Sequence, residues 1–129
     1  MTIRVNYGVV CEDIRREDSG KFMLIGVFGR DIRATAMPAT LVLAVLANVT
    51  TDAAYSGEIE YRCLIAGKVG TAETKGKLVV NEPGNSVIAF PGLPITISTP
   101  SDLEFQFRAT EEDWQSIVTI PVVDATPTV

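Results

Sequence analysis

The chain has 129 residues, 47% of them hydrophobic and 21% charged. That size and mix suit one domain with its own core, spanning residues 1–129, and argue against wholesale disorder. A net charge of −5 disfavours phosphate backbones and anionic membranes as partners, so neither nucleic acid nor a membrane is expected.

In chain order, Met1-Thr2-Ile3-Arg4-Val5 leads straight into a strand pattern without a basic start and apolar stretch. No signal peptide is therefore expected, and the expected compartment is the cytoplasm. The first strand takes Val5, Tyr7, Val9 and Cys11 as its inward set. The densely charged run Glu12–Lys21 follows, with Asp18-Ser19-Gly20 as a hairpin loop whose glycine supplies a positive φ. Next, Phe22–Phe28 is apolar on both sides: Phe22, Leu24 and Phe28 on one, Met23, Ile25 and Val27 on the other.

Leu41–Ala47 is the longest apolar run and far shorter than the roughly 20 residues a bilayer span needs. Pro38 could open a helix over Ala39–Ala47, but length and valine content favour a buried strand. In Glu58–Ile65, Ile59, Tyr61, Cys63 and Ile65 point in while Glu58, Glu60 and Arg62 point to water. A strand through Leu78–Val80 ends at Glu82-Pro83-Gly84-Asn85. Val87–Phe90 and Ile95–Ser98 read as two strands parted by Pro91-Gly92-Leu93-Pro94. After the turn Thr99–Asp102, Leu103–Ala109 alternates without error, with Glu104, Gln106 and Arg108 in water. Trp114–Val123 is the last strand, and Pro121 marks an edge or a bulge. The sum is about eight or nine strands, which predicts an all-β, two-sheet antiparallel sandwich of the immunoglobulin-like kind.

The chemistry for catalysis is thin. The chain has no histidine, which removes Ser-His-Asp and Cys-His nucleophile activation and the usual base near neutral pH. Neither a P-loop nor a GxGxxG run occurs. No enzyme activity, cofactor or metal is expected. Cys11 and Cys63 are expected as reduced thiols, and Glu12 and Asp13 would raise rather than lower the Cys11 pKa. In the charged run, Arg15 or Arg16 could grip a carboxylate or phosphate through a bidentate fork, with Asp13 and Glu17 beside them. A solvated, salt-bridged hairpin end is the plainer reading. Asp102 with Glu111-Glu112-Asp113 could hold calcium between loops, and a carbohydrate or small-ligand module could use Trp114 and the three tyrosines.

The two strands that are apolar on both sides need a cover, because each large apolar side chain left in water forgoes roughly 1.5–3 kcal/mol of burial. A loop such as Ala34–Pro38 or the C-terminal tail could supply it. The favoured reading is a homodimer packed face to face through Met23, Ile25, Val27, Val42 and Leu46. Charge could help align copies: residues 1–33 hold six basic groups against five acids, while residues 34–129 hold five against eleven.

The segment Cys11-Glu12-Asp13-Ile14-Arg15-Arg16-Glu17, with Gly20-Lys21 and Leu24-Ile25-Gly26-Val27-Phe28, resembles a family of short, uncharacterised bacterial proteins. Their N-terminal signature is C-[DE]-D-I-R-x-E-x-x-G-K-x-x-L-I-G-[VI]-[YF]-like and covers about the first thirty residues. The resemblance implies a bacterial source and a β-rich fold, and carries no catalytic residues. It singles out Asp13, Arg15 and Glu17, one face of which would hold a fixed ion pair inside the fold. Apart from the resemblance, a phage-derived assembly protein is an alternative that the sequence does not separate from a self-associating structural or interaction module.

Overall fold

The computed structural model describes residues 2–71 and 73–127. Among these described residues, no helix is long and apolar enough to cross a membrane. The described residues form ten strands: β1 (Ile3–Arg16), β2 (Phe22–Phe28), β3 (Ile32–Ala34), β4 (Ala39–Thr51), β5 (Tyr55–Ile65), β6 (Lys68–Val69), β7 (Thr74–Val80), β8 (Gly84–Ile97), β9 (Ser101–Ala109) and β10 (Gln115–Asp124). One sheet has the order β2-β1-β4-β8; the other runs β3-β10-β9-β5, with β5 flanked further by β6 and β7.

This is an immunoglobulin-like sandwich with an addition. With β2 set aside, β1, β4 and β8 occupy the places of strands A, B and E, and β10, β9, β5 and β7 those of G, F, C and C′. The added element is the β1–β2 hairpin, which extends the edge where strand A would end the sheet. β3 returns the chain to the opposite sheet, where it runs parallel to β10. The count exceeds the expected eight or nine because β3 and β6 are three and two residues long. Alternation cannot show in so few positions, and the short parallel pair departs from the all-antiparallel expectation.

The period-two patterns produce the core directly. Leu103, Phe105, Phe107 and Ala109 of β9 are buried against Tyr61 and Cys63 of β5 and Phe90, Ile95 and Ile97 of β8. Tyr61 and Phe90 lie with ring centroids 4.6 Å apart, and Phe90 and Phe107 5.7 Å apart, tilted as aromatic pairs prefer. Ala39–Ala47 is a strand, not a helix: Leu43, Val45, Ala47 and Val49 all enter the core at period two.

Three local expectations are corrected. Tyr7 points outward and is exposed, because the register slips between Val5 and Tyr7. The extra residue, Asn6, reverses the alternation, so Val10 takes the inward place while Tyr7, Val9 and Cys11 turn to the outer face, where Cys11 is still buried. Val87–Phe90 and Ile95–Ser98 belong to one strand, β8, since Pro91 and Gly92 fit in a bulge opposite Ala44 instead of breaking the pairing. Glu60 is buried rather than wet, and Glu104, Gln106 and Arg108 are half-buried, because side chains of the outer face close over one another.

Candidate functional site

The charged run of the sequence forms the end of the β1–β2 arm. Its turn is a three-residue loop: Gly20 N–H donates to Glu17 O at 2.9 Å, and Glu17 N–H to Lys21 O at 2.8 Å. Gly20 has φ 87°, the left-handed value such a loop needs at that place. β1 pairs with β4 only as far as Cys11 and with β2 as far as Arg16, so Glu12–Arg16 and Phe22–Ile25 extend beyond the four-stranded sheet.

Directly opposed residues in an antiparallel pair share a face. On the outer face of the arm this register places Arg15 beside Met23 and Asp13 beside Ile25. Further into the sheet, Val27, Cys11 and Ala44 form a row, followed by Val9, Leu46 and Ala89, then Tyr7, Asn48 and Val87. Val42 lies on the same face, opposite Pro94. Cys11 and Ala44 are small and recessed. Met23, Ile25, Val27 and Val42 are between 39% and 58% exposed, and Leu46 is half-buried. Neither Ala34–Pro38 nor the described part of the C-terminal tail covers them.

The predicted binding residues divide accordingly. Asp13 and Arg15 meet in an ion pair, Nε to Oδ2 at 3.2 Å, with both side chains more than half exposed. The ion pair lies on the outer surface, not inside the fold as the resemblance implies. Arg16 belongs to the other face, opposite Phe22, with its guanidinium 6.0 Å from that ring. Glu17 belongs to the turn, where it accepts from Ser19 Oγ at 3.5 Å.

Two clusters were not legible in the sequence. Asn6 donates to Asn48 and Thr50 at 2.9 and 2.8 Å, and Asn48 and Asn85 exchange amide bonds at 3.0 Å. These amides tie β1, β4 and β8 together and close the apolar face with a polar end. On the opposite sheet, Arg62 and Arg108 stack on Trp114 at 3.9 and 4.5 Å. Glu60 accepts from Arg108 at 3.0 Å, and Gln106 from Arg62 at 2.9 Å. These guanidiniums occupy ring surface that a sugar would stack on. Nothing in single-residue spacing announces either cluster, since each joins strands far apart in the chain.

The calcium arrangement is ruled out by topology. Asp102 opens β9 and Glu111–Asp113 follow its other end, so the strand separates them by roughly 23 Å at about 3.3 Å per residue. Cys11 and Cys63 are free, buried and on different sheets. Burial pushes the Cys63 thiol up to about 12 and also raises that of Cys11, to which the Asp13 charge adds a smaller upward push. Neither thiol is prepared as a nucleophile.

The fold and site together define an immunoglobulin-like domain bearing an inserted hairpin arm, with an apolar outer face continuous across arm and sheet. Comparison with protein-family models and with curated proteins finds no match to this chain.

Proposed function

We propose that the protein is a non-catalytic interaction module that self-associates through the outer face of the four-stranded sheet. The observation that carries this reading is that Met23, Ile25, Val27 and Val42 share one face and stand exposed there, left uncovered by the described residues of their own chain. Sheets bury such faces by stacking at about 10 Å. A two-fold contact brings the same residues together from both copies. Asp13 and Arg15, of opposite charge on the same face, give such a contact a polar partner on either side of the axis.

We read the setting as the bacterial cytoplasm, with no nucleic acid or membrane partner. Two buried free thiols and the acidic charge support that reading. A phage-derived assembly role is compatible with the same mechanism, which would use the arm built by residues 3–16 and 22–28.

Val42→Glu and Ile25→Glu test the proposal, since each puts a carboxylate into the contact and neither side chain enters the core. Light scattering at micromolar concentration should show the mass falling at least twofold, or solubility lost on Ile25→Glu. Variants that keep the wild-type mass and solubility would sink the face as an interface.

A further inference from the structure

The edges of the two sheets differ in how they are guarded. A free edge strand offers unpaired N–H and C=O groups, and proteins block such edges with proline, lysine, bulges or shortness. Four of the outer edges are blocked in these ways. β8 carries Pro91 and Pro94; β7 carries Lys75 and Lys77; β3 and β6 have only three and two residues. Ahead of β3, the open flank of β10 holds a bulge between Ser116 and Val118, holds Pro121, and packs on Gly8 of β1. Among the described residues the remaining edge is β2, which has none of these over Phe22-Met23-Leu24-Ile25. Its one irregularity is Gly26, at φ 66°, which ends the regular stretch.

The direction of the free groups follows from the turn. Glu17 and Lys21 form a hydrogen-bonded pair. By alternation the next bonded pairs are Arg15/Met23 and Asp13/Ile25, so Phe22 and Leu24 direct their backbone groups away from β1. Those groups form a ladder edge that another extended strand can complete along its length.

We infer that β2 is a second self-association site, at which the β2 strands of two copies pair antiparallel and join their four-stranded sheets edge to edge. The inference rests on the reading that copies associate, and adds a contact distinct from the face. A two-fold through Met23 makes the strand its own complement. Phe22 of one copy then exchanges backbone bonds with Leu24 of the other, and Gly26 falls outside the paired stretch. The same register places Lys21 of one copy on the outer face two strand spacings, roughly 10 Å, from Asp13 of the other, with opposite charge. Each copy thus has two self-complementary contacts, one through its sheet face and one through its edge, and the assembly extends beyond a dimer.

Leu24→Pro tests the edge selectively. It deletes an N–H that points away from β1, so the β1–β2 ladder keeps its bonds, as edge positions tolerate proline. Leu24→Lys, an edge guard of the kind β7 carries, serves as the second variant. Val42 lies on β4, two strands in from the edge, so Val42→Glu reports on the face alone. Light scattering of the full chain should give a wild-type mass above that of a dimer. Leu24→Pro or Leu24→Lys lowers it at least twofold, and Val42→Glu combined with either gives monomer. Both Leu24 variants, folded by circular dichroism and unchanged in mass, would overturn the edge contact and leave the face reading intact. A fall with Leu24→Pro but none with Val42→Glu would keep the edge and overturn the face. A monomeric wild type overturns both and leaves the edge to a foreign extended peptide.

Discussion

Tyr61 carries the buried side-chain oxygen that has no hydrogen-bond partner among the described residues. Its ring packs between Phe90 and Phe105, and burial pushes its hydroxyl pKa up. A buried hydroxyl without a partner costs stability, so Tyr61→Phe should be more stable than wild type by about 1 kcal/mol or more, read as a higher urea midpoint. A variant less stable than wild type would show that the hydroxyl is bonded after all. Glu60 is the opposite case, a buried carboxylate with its partner in place. The hydrogen bond from Arg108 holds its pKa below the usual glutamate range. A depressed folded pKa means that this stabilisation is complete above the unfolded value of about 4.3, and is lost as pH falls through the lower folded value. Glu60→Gln should therefore be less stable than wild type at pH 7, and the two urea midpoints should converge on acidification. A gap that stays constant down to pH 2 would assign the loss to packing. The strand pattern shows that position 60 alternates with Ile59 and Tyr61. That Arg108 and Trp114 would close over it depends on β9 lying beside β5, which one strand alone does not reveal.

At the scale of elements, close approach decides more than propensity does. β1 crosses near β10 at Gly8, where an added Cβ would come 2.5 Å from Ile117 Cγ2 and 3.0 Å from Ile117 O. The backbone oxygen cannot move aside as a side-chain end can. Gly8→Val should destabilise by about 1–3 kcal/mol in chemical denaturation, through overpacking at this corner of the sandwich. Wild-type stability in that variant would show that β1 and β10 separate freely. The strands themselves were legible where alternation is long, as in β9 and β5, and in β4 from its length and valine content. The missed features are all irregularities of pairing: the extra Asn6 in β1, the Pro91–Gly92 bulge in β8, and the short parallel β3. Each is defined by the opposing strand, so the local pattern carries no trace of it. A proline-glycine pair looks like a turn until the partner strand is seen to continue past it.

For the whole molecule, the two-sided apolar character of β2 and β4 has different outcomes on the two sides. The inner residues of β4 fill the core, while Val42 on its outer side joins Met23, Ile25 and Val27 in solvent. A charged substitution there should leave the monomer fold intact and act only on association, which is why Val42→Glu separates assembly from stability. The amino-acid order by itself determined the all-β class, the two-sheet sandwich, most of its core and the hairpin turn at Gly20, because alternation and turn chemistry are local properties of the chain. It also marked which residues could not all be buried in one sandwich. Only the tertiary structure decided that the hairpin is an addition to an immunoglobulin-like layout, that Asp13 and Arg15 share a face with Met23 and Ile25, and that β2 is left as the unguarded edge. Those facts depend on which strands become neighbours, and neighbours distant in the chain are chosen by packing the whole core at once.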